Sequence, residues 1–416
     1  MEIMVKLNKR LSPVAVAIAL AGMASTAGAG GFGIGTQSGS GTGNAFAGGA
    51  AAADDASVAW SNPAALMALP AGRQAVVSGH IVRPSFKFTD NGSTVPGGLG
   101  TGNGSDGGEL AFIPNAFYKM DISPQLRFGF AVNVPFGLST DYAPGWQGQT
   151  VALESAIKTI NLNPSLGYKV SDTLSIGGGV SVQKIDAKLS RFTGAGPSGN
   201  VTLAADDIGY GFNFGLLMQM TPSTRIGLAY RSSIDYKLEG TAIFTGTSAA
   251  ALNGNVNAKL KVPDSTSLSV FSTMGGRVEV MADLTYTGWS SVKSLDVYRA
   301  SGAPLSSDAY NWKDTLRVGV GANYKLDPNT KLRFGLAFDP TPSNDVNRTA
   351  RLPDQDRTWL ALGVQYKMSQ SGTLDVGYAH EFIKDATVNN AAAAGRLIGT
   401  YSNKADILSV QYSHRF

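Results

Sequence analysis

The residue best suited to binding chemistry in this 416-residue sequence is Arg191, which ends a segment whose polarity pattern inverts. Side chains alternate between the two faces of a β-strand. One face begins apolar with Leu174, Ile176, Val180 and Val182 and continues polar with Lys184, Asp186 and Lys188. The other face carries Ile185, Ala187 and Leu189 and then Arg191. This inversion predicts a barrel strand that rises above the lipid, polar outside and apolar inside.

An apolar interior that ends in a guanidinium suits a molecule with a hydrocarbon tail and an acidic head group. A buried, unpaired charge is costly, and a carboxylate is a natural partner for arginine. We therefore assign Arg191, Ile185 and Leu189 as candidate ligand-binding residues. The alternative is an ion pair between Arg191 and Asp206 or Asp207, and the sequence favours neither.

A second candidate site is the segment Asn133-Val134-Pro135-Phe136-Gly137. Pro135 cannot donate to a β-ladder, and Gly137 weakens strand pairing and permits a bulge. These residues predict a local gap in the wall, and backbone groups facing lipid must find a partner. We expect the Asn62 side chain of Asn62-Pro63-Ala64 to provide it, with two donors and one acceptor. The alternative is that Pro135 and Gly137 only mark the extracellular end of the strand.

An enzyme would need a set of cooperating residues, and the sequence presents none. Its three histidines, His80, His380 and His414, lie far apart. A Ser-His pair within one barrel, as in an outer-membrane lipase, stays open as an alternative. No His/Asp/Glu cluster has the spacing of metal ligands, and the glycines at 31–43 are not followed by the helix that phosphate binding needs. We expect no cofactor and no metal.

Two regions must position these residues. Residues 30–72 are rich in Gly and Ala and contain Asp54-Asp55, Trp60 and the Asn62-Pro63 turn. This composition is unlike that of a β-strand. We predict that they form an N-terminal hatch, or plug, rather than a disordered leader. In residues 73–416 apolar residues recur at every second position, for example at Leu360, Leu362 and Val364. They predict an all-β, antiparallel transmembrane barrel.

We place fourteen strands, with short and long connections in strict alternation, which is the outer-membrane pattern. The ninth strand is kept whole despite Gly288, because bacterial single-chain barrels have even strand numbers. The predicted ranges are roughly 73–90, 109–121, 124–139, 155–171, 173–190, 206–221, 223–240, 256–273, 275–299, 311–327, 329–341, 355–369, 371–387 and 402–416. Long loops are expected at 91–108, 140–154, 191–205, 241–255, 300–310, 342–354 and 388–401. A large soluble β-protein is the alternative.

The two ends of the chain indicate export and assembly. Residues 1–29 read as a signal peptide, with Lys6, Lys9 and Arg10 before an apolar run and Ala27-Gly28-Ala29 at the cleavage site. The last strand ends on Phe416, an aromatic end typical of substrates of the barrel-assembly machinery. A net charge of +4 is too small to predict nucleic-acid binding, and the absence of cysteine excludes disulfides. We expect a monomer in the Gram-negative outer membrane, in contact with its lipid and lipopolysaccharide.

Several motifs resemble the long-chain fatty-acid outer-membrane transporter family (FadL type). The most specific are Ala53-Asp54-Asp55-Ala56 with Asn62-Pro63-Ala64, Arg191-Phe192, Ala229-Tyr230-Arg231-Ser232, Asn347-Arg348 and Pro353-Asp354-Gln355-Asp356-Arg357, followed by Asp375-Val376-Gly377. The resemblance implies a 14-stranded barrel with a hatch and passive diffusion of hydrophobic substrates. It also implies that the Asn-Pro-Ala element packs against an inward kink of the third strand beside a lateral opening.

Two departures from the family leave the substrate open. The loop 191–205 is much shorter than in the best-known fatty-acid members. The second basic residue that those members place before the tenth strand is represented here only by Lys313, with Asp308 nearby. The sequence therefore predicts a transporter of long-chain fatty acids, with a channel for neutral aromatic hydrocarbons as the alternative. An outer-membrane lipase and a purely structural or adhesive barrel are the remaining hypotheses.

Overall fold

The structure is a closed antiparallel β-barrel in which fourteen strands surround an N-terminal segment. It is a computed structural model that describes residues 30–194, 199–246 and 252–416, so the predicted signal peptide lies outside the described residues. The barrel closes where the first strand pairs with the last, from Gln74 opposite Arg415 to Asp90 opposite Gly399. The predicted fold class and strand number are confirmed.

Several strands consist of two segments separated by a short interruption. In chain order, the fourteen strands are Arg73–Asp90; Ala111–Ser123; Leu126–Asn133 with Gly137–Asp141; Glu154–Lys169; Leu174–Phe192; Asn200–Thr221; Thr224–Arg231 with Ile234–Thr245; Gly254–Val262 with Ser265–Met274; Val278–Thr287 with Ser294–Arg299; Pro304–Ala309 with Thr315–Lys325; Thr330–Asp339; Arg357–Lys367; Gly372–Ile383 with Ala386–Ala391; and Arg396–Arg415. Two short α-helices, Gly39–Thr42 and Val58–Ser61, and three 3₁₀ turns, Pro63–Ala68, Gly97–Leu99 and Trp289–Ser291, complete the described secondary structure.

The alternation of polarity places apolar residues on the outer face, as the sequence predicts. In the twelfth strand Leu360 and Leu362 are 48% and 50% exposed, whereas Trp359 and Ala361 are buried. In the fifth strand Lys184 is exposed and Ile185 is fully buried, which confirms the inversion. Each inward face meets the hatch or other interior side chains instead of lipid.

The predicted long loops 191–205 and 241–255 are shorter than expected, because the flanking strands extend to Phe192 and Asn200 and to Thr245 and Gly254, and two further predicted loops are wrong. The connections at 300–303 and 392–395 are short, because the flanking strands continue to pair beyond the end of the apolar alternation. The ninth strand still pairs with the eighth at Val256 opposite Arg299, and the thirteenth pairs with the fourteenth at Ala391 opposite Arg396. These strand ends are held by hydrogen bonds and have no apolar outer face. The alternation of apolar and polar residues therefore does not reveal them.

Residues 30–72 occupy the barrel interior and are held by buried charges. Arg333, on the eleventh strand, contacts Asp54 of the segment at 2.7 Å and Asp375 at 2.9 Å, and its side chain is 1% exposed. Gln411 donates to the neighbouring Asp55 at 2.8 Å. Asp54 therefore attaches this segment to the wall by ion pairs, and Asp55 attaches it by a hydrogen bond. None of the helices in the described part of the chain has the length and apolar character to cross a membrane.

Candidate functional site

The third strand is interrupted over residues 134–136, and the wall between the second and third strands is incomplete there. The ladder between these strands runs from Ser123 opposite Leu126 to Ala116 opposite Val132 and then stops. The second segment of the third strand pairs with the fourth strand, from Gly137 opposite Lys158 to Asp141 opposite Glu154, and on its other side a single bridge joins Thr140 to Gly108. The position is the one that Pro135 and Gly137 predict.

The first residues of the hatch fill this interruption. The Ile34 N–H donates to the Pro135 carbonyl at 2.8 Å, and the Gly137 N–H donates to the Phe32 carbonyl at 2.8 Å. The Gln37 amide donates to the Val134 carbonyl at 3.0 Å and accepts from Asn133 at 2.5 Å. A hatch segment that ends at Gln37 thus takes the place of a neighbouring strand at the gap.

Asn62 does not take the role that the sequence analysis gives it. Its amide donates to the Ala50 carbonyl at 2.6 Å and to the Leu216 carbonyl of the sixth strand at 2.9 Å. Its side-chain oxygen accepts from the Ala64 N–H at 3.0 Å and begins the turn Pro63–Ala68. Asn62 therefore fixes the hatch against the sixth strand, and the partners of the third-strand backbone are the hatch residues up to Gln37.

A row of glycines lets Asn62-Pro63-Ala64 approach the wall. Gly167, Gly177 and Gly215 lie opposite one another on the fourth, fifth and sixth strands. A Cβ atom at Gly215 would lie 1.9 Å from the Asn62 Oδ1 atom, and one at Gly177 would lie 2.4 Å from the Ala64 nitrogen. Only glycine permits this contact, so the wall and the turn are matched in shape.

Aromatic rings join the hatch to the gap. Phe32 lies 5.8 Å from Phe136 of the third-strand interruption and 5.1 Å from Trp289 of the ninth strand, measured between ring centroids. Trp289 in turn lies 5.2 Å from Trp312. Phe32, Trp289 and Trp312 belong to a buried apolar cluster that also contains Ile185. This ring group connects the apolar interior beside the fifth strand to the gap.

A cavity of about 330 Å³ lies between the hatch and the barrel wall. This volume is at the lower end of the range of roughly 300–1,000 Å³ for small-molecule sites. Pro135 and Phe136 line it at the third strand, and Arg231 lines it at the seventh. Trp60, Trp289 and Trp359 provide aromatic surface, and hydroxyl groups line the eighth to tenth strands at Ser265, Ser267, Thr285, Thr287 and Thr315. The cavity is thus amphipathic.

The fifth strand carries Ile185, Leu189 and Arg191 on its inward face, as predicted. Ile185 is fully buried in the apolar cluster, and Leu189 and Arg191 are partly buried. Six residues of strand separate Ile185 from Arg191, or roughly 20 Å. They are therefore suited to different ends of one long molecule. In the described residues no carboxylate is within ion-pair distance of Arg191, and Asp206 instead lies 3.8 Å from Lys184.

Arg351, which the sequence analysis missed, lies beside the end of the fifth strand. Its guanidinium donates to the Ser155 hydroxyl at 3.1 Å and to the Ser190 carbonyl at 3.3 Å, and it contacts Asp308 at 3.6 Å. Burial lowers the pKa of Arg351, and the nearby charge of Arg191 lowers it further, while Asp308 opposes the shift. Two cationic groups therefore share this region with one distant carboxylate.

Lys313, the predicted second basic residue, is placed differently. Its side chain is exposed, and its backbone N–H donates to the Pro342 carbonyl at 3.0 Å. The neighbouring Trp312 points into the apolar cluster instead. The structure brings Arg191 and Arg351 together and leaves Lys313 outside. The three arginines of the segment 348–357 indicate that a second basic group could lie near the site, but the sequence does not show which of them reaches the fifth strand.

A buried Ser-His pair is present but is enclosed. His80 Nδ1 lies 2.6 Å from the Ser409 hydroxyl, and His80 Nε2 lies 3.1 Å from the Asn115 amide nitrogen. His80 and Ser409 have no exposed surface, and the hatch residue Thr42 contacts Ser409 at 2.8 Å. This arrangement attaches the hatch to the wall. Within the described ranges no group of three or more His, Asp or Glu residues is placed to hold a metal ion.

Comparison with known proteins agrees with this geometry. Residues 20–416 match the sequence profile of the family described as outer membrane protein transport protein (OMPP1/FadL/TodX). The chain belongs to this family. The long-chain fatty acid transport protein of Escherichia coli K12 is 28% identical over 397 residues, covering 83% of this chain and 86% of that protein. As a member of this family, the protein is an outer-membrane transport protein and not an enzyme.

Two solved structures share its fold. A Pseudomonas aeruginosa FadL homologue has a TM-score of 0.87 and 26% identity, and the match covers 93% of this chain and 100% of that one. The toluene transporter TodX of P. putida has a TM-score of 0.68 and 17% identity, covering 91% and 98%. The fold is thus shared by a FadL homologue and a toluene transporter, so the fold alone does not decide between fatty acids and neutral hydrocarbons.

Proposed function

We propose that this protein carries long-chain fatty acids across the outer membrane by passive diffusion. The observation that supports this most strongly is the pair of guanidinium groups, Arg191 and Arg351, at the end of an apolar interior face. One weak ion pair to Asp308 leaves a net positive charge there. A carboxylate from a ligand would accept charge-assisted hydrogen bonds from both groups and reduce their mutual repulsion.

The hydrocarbon tail then lies along Leu189 and Ile185 toward the aromatic group. It reaches the cavity between hatch and wall when Phe32 and Phe136 separate. From the cavity the ligand leaves through the third-strand gap into the bilayer, once the hatch residues up to Gln37 release Pro135 and Gly137. This route keeps an insoluble molecule out of water at each stage. It includes the predicted gate residues Asn133, Pro135, Phe136 and Gly137, with Asn62-Pro63-Ala64 as the fixed support of the hatch.

Transport of neutral aromatic hydrocarbons is the alternative function. The aromatic lining of the cavity at Trp60, Trp289 and Trp359 favours it. A neutral ligand would gain nothing from Arg191 and Arg351. The two functions therefore differ in whether removal of these charges weakens binding.

The test is the affinity of purified protein for a long-chain acid and for the alcohol of the same length. A charge-assisted hydrogen bond is worth about 1.5–3 kcal/mol. Arg191→Ala should therefore weaken acid binding roughly ten- to a hundred-fold and leave the alcohol nearly unchanged. Lys188→Ala is the matched control, because it removes an exposed cation from the outer face of the same strand. Equal losses for acid and alcohol would reject the head-group role.

The protein's surroundings follow from the same proposal. We expect it to act as a monomer whose outer face contacts membrane lipid and lipopolysaccharide, after insertion by the barrel-assembly machinery. The exposed outward residues of the last strand, Leu408 and Val410, provide a surface of the required kind. Cross-linking in intact outer membranes checks the monomer, since a discrete dimer band would contradict it.

A further inference from the structure

The cavity between hatch and wall contains a cation without a carboxylate partner. Arg231 ends the first segment of the seventh strand and lines the cavity. Its guanidinium lies 3.3 Å from the centroid of the Trp60 ring, donates to the Trp60 carbonyl at 2.7 Å and donates to the Ser181 hydroxyl at 3.2 Å. These contacts use two of the five N–H donors of an arginine.

Three other arginines of the barrel interior, Arg317, Arg333 and Arg357, have carboxylate partners. Arg317, which also lines the cavity, contacts Asp283 at 3.3 Å. Arg333 contacts two carboxylates, and so does Arg357. For Arg231 no ion pair occurs within the described ranges 30–194, 199–246 and 252–416. An interior charge without a counter-charge is costly, and a site that receives an anion from solution removes that cost.

The surroundings of Arg231 are polar on one side of the cavity and aromatic on the other. Ser265 lies directly opposite Arg231 in the ladder to the eighth strand and also lines the cavity. At the third strand the lining changes to Pro135 and Phe136, with Trp289 at 6.3 Å from Phe136 between ring centroids. The lining also includes Arg317 and the carboxylates Asp54, Asp283 and Asp339, but Arg317 is paired with Asp283. An acidic group in this cavity is therefore best placed at Arg231, with its hydrocarbon at Phe136.

We propose that Arg231 and Ser265 form a second carboxylate subsite, which holds a long-chain acid so that its tail points to the third-strand gap. The inference rests on the proposed function and deepens it. The carboxylate accepts hydrogen bonds from the free guanidinium donors and the Ser265 hydroxyl, while the tail contacts the rings at the gap. Release is then tail first: the hydrocarbon enters the bilayer before the head group leaves Arg231.

Tryptophan fluorescence can report the orientation directly, because Trp60 lies at the polar end of the cavity and Trp289 at the gap. Two reporter proteins keep only one of these tryptophans, with the others changed to Phe. A long-chain acid brominated at carbon 2 should quench Trp60 more than Trp289, and the acid brominated at its terminal carbon should quench Trp289 more. The reverse pattern, or equal quenching of both rings, would overturn the proposal.

The charge is tested in the Trp60 reporter. Arg231→Gln keeps an amide at the site and should raise the dissociation constant for the 2-bromo acid roughly ten- to a hundred-fold. The corresponding bromo alcohol should be unaffected. Arg225→Gln is the matched control: Arg225 lies on the same inward face, stacked 4.6 Å from the Phe271 centroid, but does not line the cavity. Unchanged affinity for the acid in Arg231→Gln would overturn the subsite.

The two proposals fail in different ways. If the wild-type protein binds acid and alcohol equally, the fatty-acid function fails together with this inference. Suppose instead that the wild type prefers the acid and that Arg191→Ala removes part of this preference. If Arg231→Gln then removes none of it, only the second subsite fails. Heat-modifiable migration of each variant on a gel shows that the barrel is folded, so a misfolded variant is recognised before binding is measured.

Discussion

A disulfide between the hatch and the third strand should close the lateral gate. Gly33 and Phe136 lie opposite each other in an isolated antiparallel bridge. They form the pair not joined by hydrogen bonds, for which the Cα atoms are about 4.5 Å apart, within the range that a disulfide spans. A Cβ atom at Gly33 would meet no atom closer than 3.4 Å. The chain has no cysteine of its own, so Gly33→Cys with Phe136→Cys introduces a single possible bond.

The size of the effect follows from the contacts that hold the gate. Two backbone hydrogen bonds join Ile34 to Pro135 and Gly137 to Phe32. Each is worth about 0.5–1.5 kcal/mol net, so these two bonds alone hold the gate closed by about 1–3 kcal/mol. The Gln37 bonds and the Phe32 ring contact add to this, so the open state is populated at no more than roughly one part in five. The oxidised disulfide removes this population. Uptake of a labelled long-chain acid should fall to the level of cells without the protein and return after reduction.

A second pair of cysteines separates the lateral route from an axial one. Thr42 of the hatch contacts Ser409 of the last strand at 2.8 Å between their hydroxyl oxygens. A disulfide at Thr42→Cys and Ser409→Cys ties the hatch to the wall away from the gate. It should leave uptake intact if the ligand leaves sideways and block uptake if the whole hatch must move. Normal uptake with the Gly33–Phe136 disulfide fully formed would refute the lateral gate.

Two further outcomes test the gate and the hatch support. Replacing Pro135 by Val and Gly137 by Thr should restore a continuous third strand and strongly reduce uptake in cells with normal protein levels; unchanged uptake would point to an axial exit. Gly215→Ala should displace Asn62 and destabilise the hatch by about 1–3 kcal/mol, as overpacking does, seen as faster protease cleavage within residues 30–72. Gly178→Ala is its control, because a Cβ atom there would lie 3.5 Å from the nearest atom, and equal cleavage of both variants would count against the glycine row.

The barrel could be predicted from the sequence because alternation fixes the face of every side chain. Lys184, Ile185 and Leu360 lie on the faces that period two assigns to them. The interruptions were harder to predict, because strand continuity depends on the neighbouring ladder as much as on the local residues. Pro263, between the two segments of the eighth strand, is a signal of the same kind as Pro135.

The partners within the site could not be predicted, because they are far apart in the sequence. The Gln37 amide contacts Val134, and Arg351 contacts Ser155. Asn62 shows the limit most clearly. Its two donors and one acceptor can pair with any free backbone N–H or C=O group. The prediction that Asn62 bonds to backbone groups therefore holds, while its assignment to the third strand was wrong. Only the position of the turn in the barrel decides that the sixth strand provides them.

The hatch is attached with very different strengths along its length, and this difference favours a local opening. Removing one partner of a buried ion pair costs about 3–5 kcal/mol, and withdrawing the whole hatch would separate Asp54 from both Lys331 and Arg333. It would also break the contacts of Asn62 with the sixth strand. Releasing the first residues alone breaks no ion pair: it breaks the hydrogen bonds of residues 30–37 with the wall and separates the Phe32 ring from its aromatic neighbours. Because passive diffusion supplies no energy to the protein, we expect the cheaper movement to dominate, which favours the proposed opening of the wall beside the cavity.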